Sequence, residues 1–199
     1  LLAPYAGQVV LDIGTGDGHY VYEMARRQPH QFFIGIDANA SALAKISEQI
    51  HRKPAKGGAA NTLFLQAAVE ALPTELTGVA SAVQVQFPWG SLLAGVLNGE
   101  PGVLQNLRRV CASAATLTII TALDPVCDQR ELVRLGLPAP TPAYLRHELL
   151  PKYADAGFTP LKIGTLAPVT WPQLTSSWAK RLRGNIERDL ICLVLRADG

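Results

Sequence analysis

Apolar residues in this chain come in short, β-rich runs: Val9–Ile13, Phe32–Ile36, Thr62–Leu65, Ala82–Phe87, Ala115–Leu123 and Leu190–Leu195. Between the early runs the period lengthens. His19–Gln28 sets Val21, Met24 and Ala25 on one face, and Ala40–Ile50 does the same with Leu43, Ile46 and Ile50. That spacing is helical. Strands apolar almost throughout, alternating with amphipathic helices, predict an α/β fold whose parallel sheet is covered on both sides. The second half is punctuated by prolines 138, 140, 142, 151, 160, 168 and 172. There Pro142–Ala156 reads as a helix closed by Gly157, a residue suited to the position just past a helix end. Phe158–Leu166 and Leu190–Leu195 read as a closing strand pair. Joined through a helical stretch at Trp171–Arg183, they predict an antiparallel edge.

Composition narrows the class. At 199 residues the chain fits one domain, spanning 1–199, that buries roughly 70% of its unfolded surface without disulfide or metal staples. It is 48% hydrophobic and 17% charged, which is globular. A net charge of +2 excludes a uniformly basic nucleic-acid coat but leaves room for a local basic patch. Cys111, Cys127 and Cys192 stand far apart with no C-x-x-C pair, so a reduced, cytoplasmic protein without a cysteine zinc site is expected. The longest apolar stretch, around Ala114–Leu123, is broken by threonines and falls far below the ~20 residues of a membrane span. Neither a signal peptide nor an internal repeat is visible. The chain begins at Leu1 rather than Met, and a missing N-terminal segment is expected.

The first strand runs into Asp12-Ile13-Gly14-Thr15-Gly16-Asp17-Gly18. Glycines let a backbone turn tightly and approach a ligand with no Cβ in the way. The second strand ends in Asp37, a carboxylate placed to accept the hydroxyls of a ribose. A dinucleotide site needs G-x-G-x-x-G and brings a pyrophosphate to the helix N-terminus. Here the spacing is G-x-G-x-G, and Asp12 and Asp17 crowd the turn with negative charge, which suits a cation. S-adenosylmethionine (SAM) carries a sulfonium and an ammonium, and the motif resembles that of class I SAM-dependent methyltransferases. On residues alone three alternatives stand: a plain strand–helix turn, Asp37 as a helix N-cap, and an NAD site. Glu70, after the third strand, is either a polar neighbour of the cofactor's adenine or a solvated glutamate.

Phe87-Pro88-Trp89-Gly90-Ser91-Leu92-Leu93 follows the fourth strand, where a doubly wound sheet opens its ligand crevice. Amino-methyltransferases commonly place a polar residue, two prolines and an aromatic there. Phe87 takes the polar position, so the usual acceptor for an exocyclic amine is missing while the aromatic plate remains. A second tryptophan, Trp178, lies in Thr175–Leu182. Two such rings can clamp an extruded base, with stacking worth about 1–3 kcal/mol; equally, both can be core aromatics. Trp171, beside Pro172, reads as core. Arg52, Lys53 and Lys56 precede the third strand, and Lys180, Arg181, Arg183 and Arg188 precede the last. Each group is either a phosphate contact or a solvated basic face.

Taken together, Val10–Gly18, Ile36-Asp37-Ala38, Lys53–Gly58, Pro88–Leu93 and Ser177–Leu182 resemble one family closely. It is the Kam/NpmA-type aminoglycoside-resistance 16S rRNA (adenine-N1) methyltransferases, which act on adenosine 1408 in helix 44 of the ribosomal A site. The resemblance implies a Rossmann-like class I fold with a mostly parallel seven-stranded sheet and an antiparallel last strand. It implies SAM as cofactor, held by Asp12, Gly14, Gly16, Gly18, Asp37, Ala38, Ala68 and Glu70. Trp89 and Trp178 would sandwich a flipped adenine, in a pocket shaped by Phe87, Pro88 and Ser91 with Ser176 on the nucleotide. Arg52, Lys53, Lys56, Lys180, Arg181, Arg183 and Arg188 would hold the 16S rRNA of the 30S subunit through loops at 52–61, 88–93 and 170–188. A monomer is expected, with no metal, membrane or DNA involved. The family's N-terminal hairpin is expected to be missing, since only Leu1–Gln8 precede the first strand. Two further readings stand beside this one: a methyltransferase for another nucleotide, such as tRNA guanine-N7, and a catalytically silent SAM- and rRNA-binding protein.

Overall fold

Strands form where the apolar runs lie. The computed structural model describes residues 2–124, 126–166 and 190–199. Its strands are β1 (Val9–Ile13), β2 (Phe32–Asp37), β3 (Thr62–Gln66), β4 (Ala80–Gln86), β5 (Cys111–Thr121), β6 (Phe158–Leu166) and β7 (Leu190–Ala197). They make one sheet in the order β3-β2-β1-β4-β5-β7-β6. β1 to β5 are parallel to one another, and β7 pairs antiparallel with both β5 and β6. The expected seven-stranded sheet with a reversed last strand is therefore what the chain adopts.

Both faces are covered, as the unbroken apolar strands require. Val9, Leu11 and Ile13 of β1 and Phe32, Ile34 and Ile36 of β2 point into a large core on one face. The intervening Val10 and Phe33 point the other way, against Val21, Tyr22 and Ala25 of α1 (His19–Arg27) and Ile46 and Ile50 of α2 (Ala40–Ile50). The period of two in the strands and the helical stripes meet as the sequence predicts. The large core is closed by α3 (Gly90–Asn98), α4 (Pro101–Val110), α5 (Gln129–Arg134) and a helix α6 over 142–155.

Several boundaries differ from the sequence expectation. Phe87 is not the end of β4: it leaves the strand with a φ of 49°. β5 starts at Cys111 rather than Ala115, because Ala114, at φ 62°, makes a bulge that lets the strand continue directly from α4. α3 had no sequence signal, since Gly90–Asn98 is apolar almost all round. α4 carried one, Val103, Leu104, Leu107 and Val110, all of which are buried. α6 is helical as expected, but it widens to π-helical geometry at Leu145–Leu149. Pro151 explains this, because its ring would clash with the carbonyl of residue 147 in a regular α-helix. The proposed helix at Trp171–Arg183 lies outside the described residues. All three cysteines are free, Cys111 and Cys192 buried and Cys127 exposed. No described helix is long and apolar enough to cross a membrane.

The rear end of α3 is tied down one carbonyl at a time. The last four carbonyls of a helix lack intrahelical partners. Here Gly95 O accepts from Glu100 N (2.9 Å), Val96 O from Tyr153 Oη (3.0 Å), Leu97 O from Tyr144 Oη (2.7 Å) and Asn98 O from Lys152 Nζ (2.6 Å). α6 thereby anchors the helix that follows Trp89. Tyr153 is fully buried, so Tyr153→Phe should leave Val96 O without a donor and lower unfolding free energy by about 1–2 kcal/mol. Urea denaturation checks this; an unchanged midpoint would mean the bond adds nothing.

Candidate active site

The strand order turns back on itself between β1 and β4, and there the chain from β1 has to bend sharply into α1. Gly14 and Thr15 donate their N–H groups to Ile36 O, at 2.8 and 3.0 Å, which binds the turn to the tip of β2. Gly14 has φ 77°, and a Cβ on it would lie 2.5 Å from Leu92 Cδ2. Only glycine fits that conformation and that approach. Gly16 has φ 62°, yet a Cβ there would meet nothing within 4 Å. The space beside Gly16 is the cleft. Gly18 is buried at the start of α1, so its task is to pack the turn rather than to line the cleft.

Asp37 locks this arrangement. Its Oδ2 accepts from Gly16 N and its Oδ1 from Asn39 N, both at 2.8 Å. The N-cap of α2 is Asn39, whose Oδ1 accepts from Ser41 N at 3.1 Å. The N-cap alternative for Asp37 is thus overturned: Asn39 has that place, and Asp37 spans the two strand tips. Each carboxylate oxygen keeps a lone pair for a further donor.

A cleft of about 380 Å³ opens here. It brings together Gly14, Gly16, Asp37, Ala38, Ala68, Glu70, Phe87, Pro88, Trp89 and Ser91, from four separate loops. Ile13, Asn39, Ala67, Val69 and Leu92 also line it and were not singled out from the sequence. Asn39 had a legible signal, an Asn just before a helical pattern. Leu92 had none, because its position opposite Gly14 exists only once β1 and β4 are side by side. Glu70 is exposed in a 3-10 turn, Val69–Ala71, whose residue-70 carbonyl is held by Asn106 Nδ2 at 3.0 Å.

Phe87 and Trp89 part company. Phe87 is buried with Ile120, Ala122, Leu190 and Cys192, and its N–H donates to Ile120 O at 2.7 Å. The hydrophobic residue in the polar position thus pins the loop to the sheet. Positive φ in a bulky residue is uncommon and costly, and such strain gathers at functional sites. Trp89, two residues on, is 54% exposed at the cleft and stands at the N-cap position of α3. The core-aromatic alternative fails for Trp89. Trp171, Ser176, Trp178, Lys180, Arg181, Arg183 and Arg188 lie outside the described residues.

Asp12 sits behind the cleft wall, 4% exposed on the face of β1 that looks toward α1. Burial pushes its carboxyl up to about 7, and the Asp37 charge adds to the rise. The Thr15 hydroxyl is close enough to oppose it, yet Asp12 Oδ1 and Thr15 Oγ1 are both buried without a full hydrogen bond. Arg52, Lys53 and Lys56 are exposed, but they stand at the far end of α2. Eleven residues of helix carry the chain about 16 Å away from the cleft.

A crevice at the reversal of strand order, outside the carboxyl ends of the strands, is where an open α/β sheet takes its ligand. With acids rather than anion-binding amides dominating the turn, the fold and cleft define a SAM-dependent methyltransferase of the Rossmann-like class. The NpmA family model, 16S rRNA (adenine(1408)-N(1))-methyltransferase, matches residues 2–196, and the chain belongs to this family. It is 39% identical over 187 residues to a 16S rRNA (adenine(1408)-N(1))-methyltransferase of Streptoalloteichus tenebrarius, covering 93% of this chain and 85% of the relative. The crystal structure of the aminoglycoside resistance methyltransferase NpmB1 is 42% identical, with a TM-score of 0.83 over 97% of this chain and 88% of that one. A tryptophan-to-alanine variant of the Catenulisporales acidiphilia enzyme, with cosubstrate SAM, is 31% identical, with a TM-score of 0.87 over 98% and 88%.

Two outcomes follow from this geometry. Asp37→Ala removes the acceptor for Gly16 N and Asn39 N and should weaken SAM binding at least about tenfold, since bonds to a charged group contribute about 1.5–3 kcal/mol. Titration calorimetry measures this, and an unchanged affinity would remove Asp37 from the site. Asp12 has a folded pKa above its unfolded value, so its contribution to stability is full in acid and is lost as pH rises through about 7. Ligand-free Asp12→Asn should therefore melt above the wild type at pH 8, with the difference shrinking toward pH 5. Thermal melts across that range decide it, and parallel curves would contradict the burial argument.

Proposed function

We propose that the cleft at Gly16 and Asp37 holds SAM and that Trp89 is one plate of a clamp for adenosine 1408, flipped out of helix 44 in the A site of the 30S subunit. The enzyme is a 16S rRNA (adenine-N1)-methyltransferase that confers aminoglycoside resistance, as its family and its structural neighbours do. The observation that carries the finer reading is an exposed indole, Trp89, on the rim of the same cleft that Gly16 opens and Asp37 borders. The residues present fit SAM. The cleft volume lies in the range of small-molecule sites. The open side of Gly16 admits a ligand, Asp37 offers free lone pairs to ribose hydroxyls, and the acids favour a cation.

SAM supplies a methyl group activated by its sulfonium charge. Adenine N1 has a free lone pair at neutral pH, so the N1–C bond forms as the C–S bond breaks, and the electron pair of that bond stays with sulfur. No proton has to leave N1 first. None of the four histidines lines the cleft, which suits a reaction without a general base. The work of the chain is to align nucleophile and methyl in a dry slot, where ordering can supply up to ~7–11 kcal/mol. Trp89 and Trp178 stack on the base, Pro88 and Ser91 bound its pocket, and Ser176 meets the nucleotide. Ala38, Ala68 and Glu70 surround the cofactor's adenine. Lys180, Arg181, Arg183 and Arg188 hold the distorted backbone, while Arg52, Lys53 and Lys56 dock on rRNA further off. The enzyme works as a monomer in the cytoplasm, where ribosomes are.

The test is methylation of mature 30S subunits with labelled SAM, followed by primer extension across helix 44. A stop at adenosine 1408 is expected. Label in tRNA instead would favour guanine-N7 chemistry, and no label in either RNA would leave only a binding role; both would overturn the proposal. Trp89→Ala should keep SAM affinity and lose about 10- to 100-fold in methylation rate, in line with about 1–3 kcal/mol of stacking. Full activity in that variant would sink the clamp.

A further inference from the structure

Behind the cofactor cleft lies a polar layer that the proposed reaction does not use. Asp12 on β1 is in register with Gln84 on β4, so the two side chains stand side by side on the same face of the sheet. Gln86, two residues nearer the cleft, shares that face. Gln86 Nε2 donates to Gln84 Oε1 at 2.9 Å, which fixes both amides. Gln86 is only 9% exposed, and its Oε1 is buried without a partner. Tyr20, in the first turn of α1, packs over them. Its hydroxyl interacts with both glutamines and feels the charge of Asp12.

Among the described strand residues the other buried polar side chains are Thr62 and Thr121, single hydroxyls at separate places, so four polar side chains gathered beneath one turn need a reason. Solvation is not one, because Asp12 and Gln86 are buried. Three side-chain oxygens in this region, Asp12 Oδ1, Thr15 Oγ1 and Gln86 Oε1, are buried without a full hydrogen bond, although the Thr15 hydroxyl stands near the Asp12 carboxyl and that of Tyr20 near Gln86. Buried acceptors without donors are costly, and a group left in that state in a native fold calls for a ligand or a proton. The charged group acting on Asp12 is Asp37, which is of like sign, so the empty site favours the neutral acid. One residue away, Ile13 and Gly14 form the wall of the cleft.

We propose that Asp12, buried beside Gln84, Gln86 and Tyr20, bears a proton while the cleft is empty and gives it up when a cationic ligand enters, so that SAM binding is coupled to proton release. This rests on reading the cleft as the SAM site. The balance is simple. The carboxyl O–H breaks, the proton passes to solvent, and the carboxylate charge is matched by the positive charge of the incoming ligand. In the loaded site Asp12 is an anion one residue behind the wall that the cation meets; in the empty site it is a neutral acid beside a polar layer. The layer sets the pH at which the exchange occurs. Two amides and a phenol give the carboxylate a less hostile surrounding than leucine or phenylalanine side chains do, and so keep the transition near neutrality.

Titration calorimetry of wild-type protein with SAM at pH 6.5, in two buffers of different ionisation enthalpy, tests the coupling. That pH lies below the ~7.7–8.0 range of α-amino groups, so the ligand's own amine stays charged. Close to one proton should leave per SAM bound, and affinity should rise by up to about tenfold per unit between pH 5.5 and 7. Asp12→Asn should abolish the release. Gln86→Leu and Tyr20→Phe should move the midpoint of the pH dependence upward by about half a unit, a change that a purely structural role would not produce. Binding without proton release in the wild type would overturn the coupling and leave the cofactor site standing. An unmoved midpoint in both variants would remove the layer's part. Absence of SAM binding at every pH would instead overturn the cofactor reading.

Discussion

The site depends on one carboxylate holding two strand ends at a fixed separation. β1 and β2 are joined along their length by backbone bonds, but beyond Ile13 and Asp37 each chain turns away toward its own helix. Asp37 prevents them from splaying, because one oxygen takes the amide of Gly16 and the other that of Asn39. Such charge-assisted bonds are roughly twice as strong as neutral ones. With the turn fixed, Gly14 can press against Leu92 of α3, and that contact carries the position of β1 across to the loop after β4. The glycine side of the cleft and its aromatic rim are thus located by a single chain of contacts running from β2 to α3.

Charge follows the same logic. A turn of backbone amides at a helix N-terminus ordinarily attracts anions. This one is surrounded by carboxylates, of which Asp37 is satisfied by amides while Asp12 is buried and under-bonded. A protein that keeps an acid in so poor a setting gives up stability in the empty state. The arrangement makes sense if the deficit is made good by a positively charged guest. It is a local case of the wider trade between stability and function.

The sheet was readable because its evidence is local. Each apolar run is long enough to be a strand, and the two early helices show clean stripes at Val21 and Ala25 and at Leu43, Ile46 and Ile50. The motif Asp12–Gly18 and the later Asp37 marked the cleft for the same reason. What escaped notice depended on contacts between distant segments. α3 is apolar on every side because sheet and helices enclose it, so it has no polar face to reveal its period. Phe87 read as the absence of an amine acceptor at the cleft, which it does line; that it also anchors the loop in a small core with Ile120 and Cys192 is visible only in the fold. The basic residues at 52–56 showed their charge in the sequence, but their distance from the cleft became visible only when α2 carried them to the other end of the sheet.

Pro88 and Trp89 bridge two residues of left-handed backbone, Phe87 at 49° and Gly90 at 58°. Behind them α3 is moored by its carbonyls to Tyr144, Lys152 and Tyr153. A lever so firmly held at its heel can pivot only at its toe. The backbone that presents the indole is thus bounded by a moored helix on one side and a buried phenylalanine on the other.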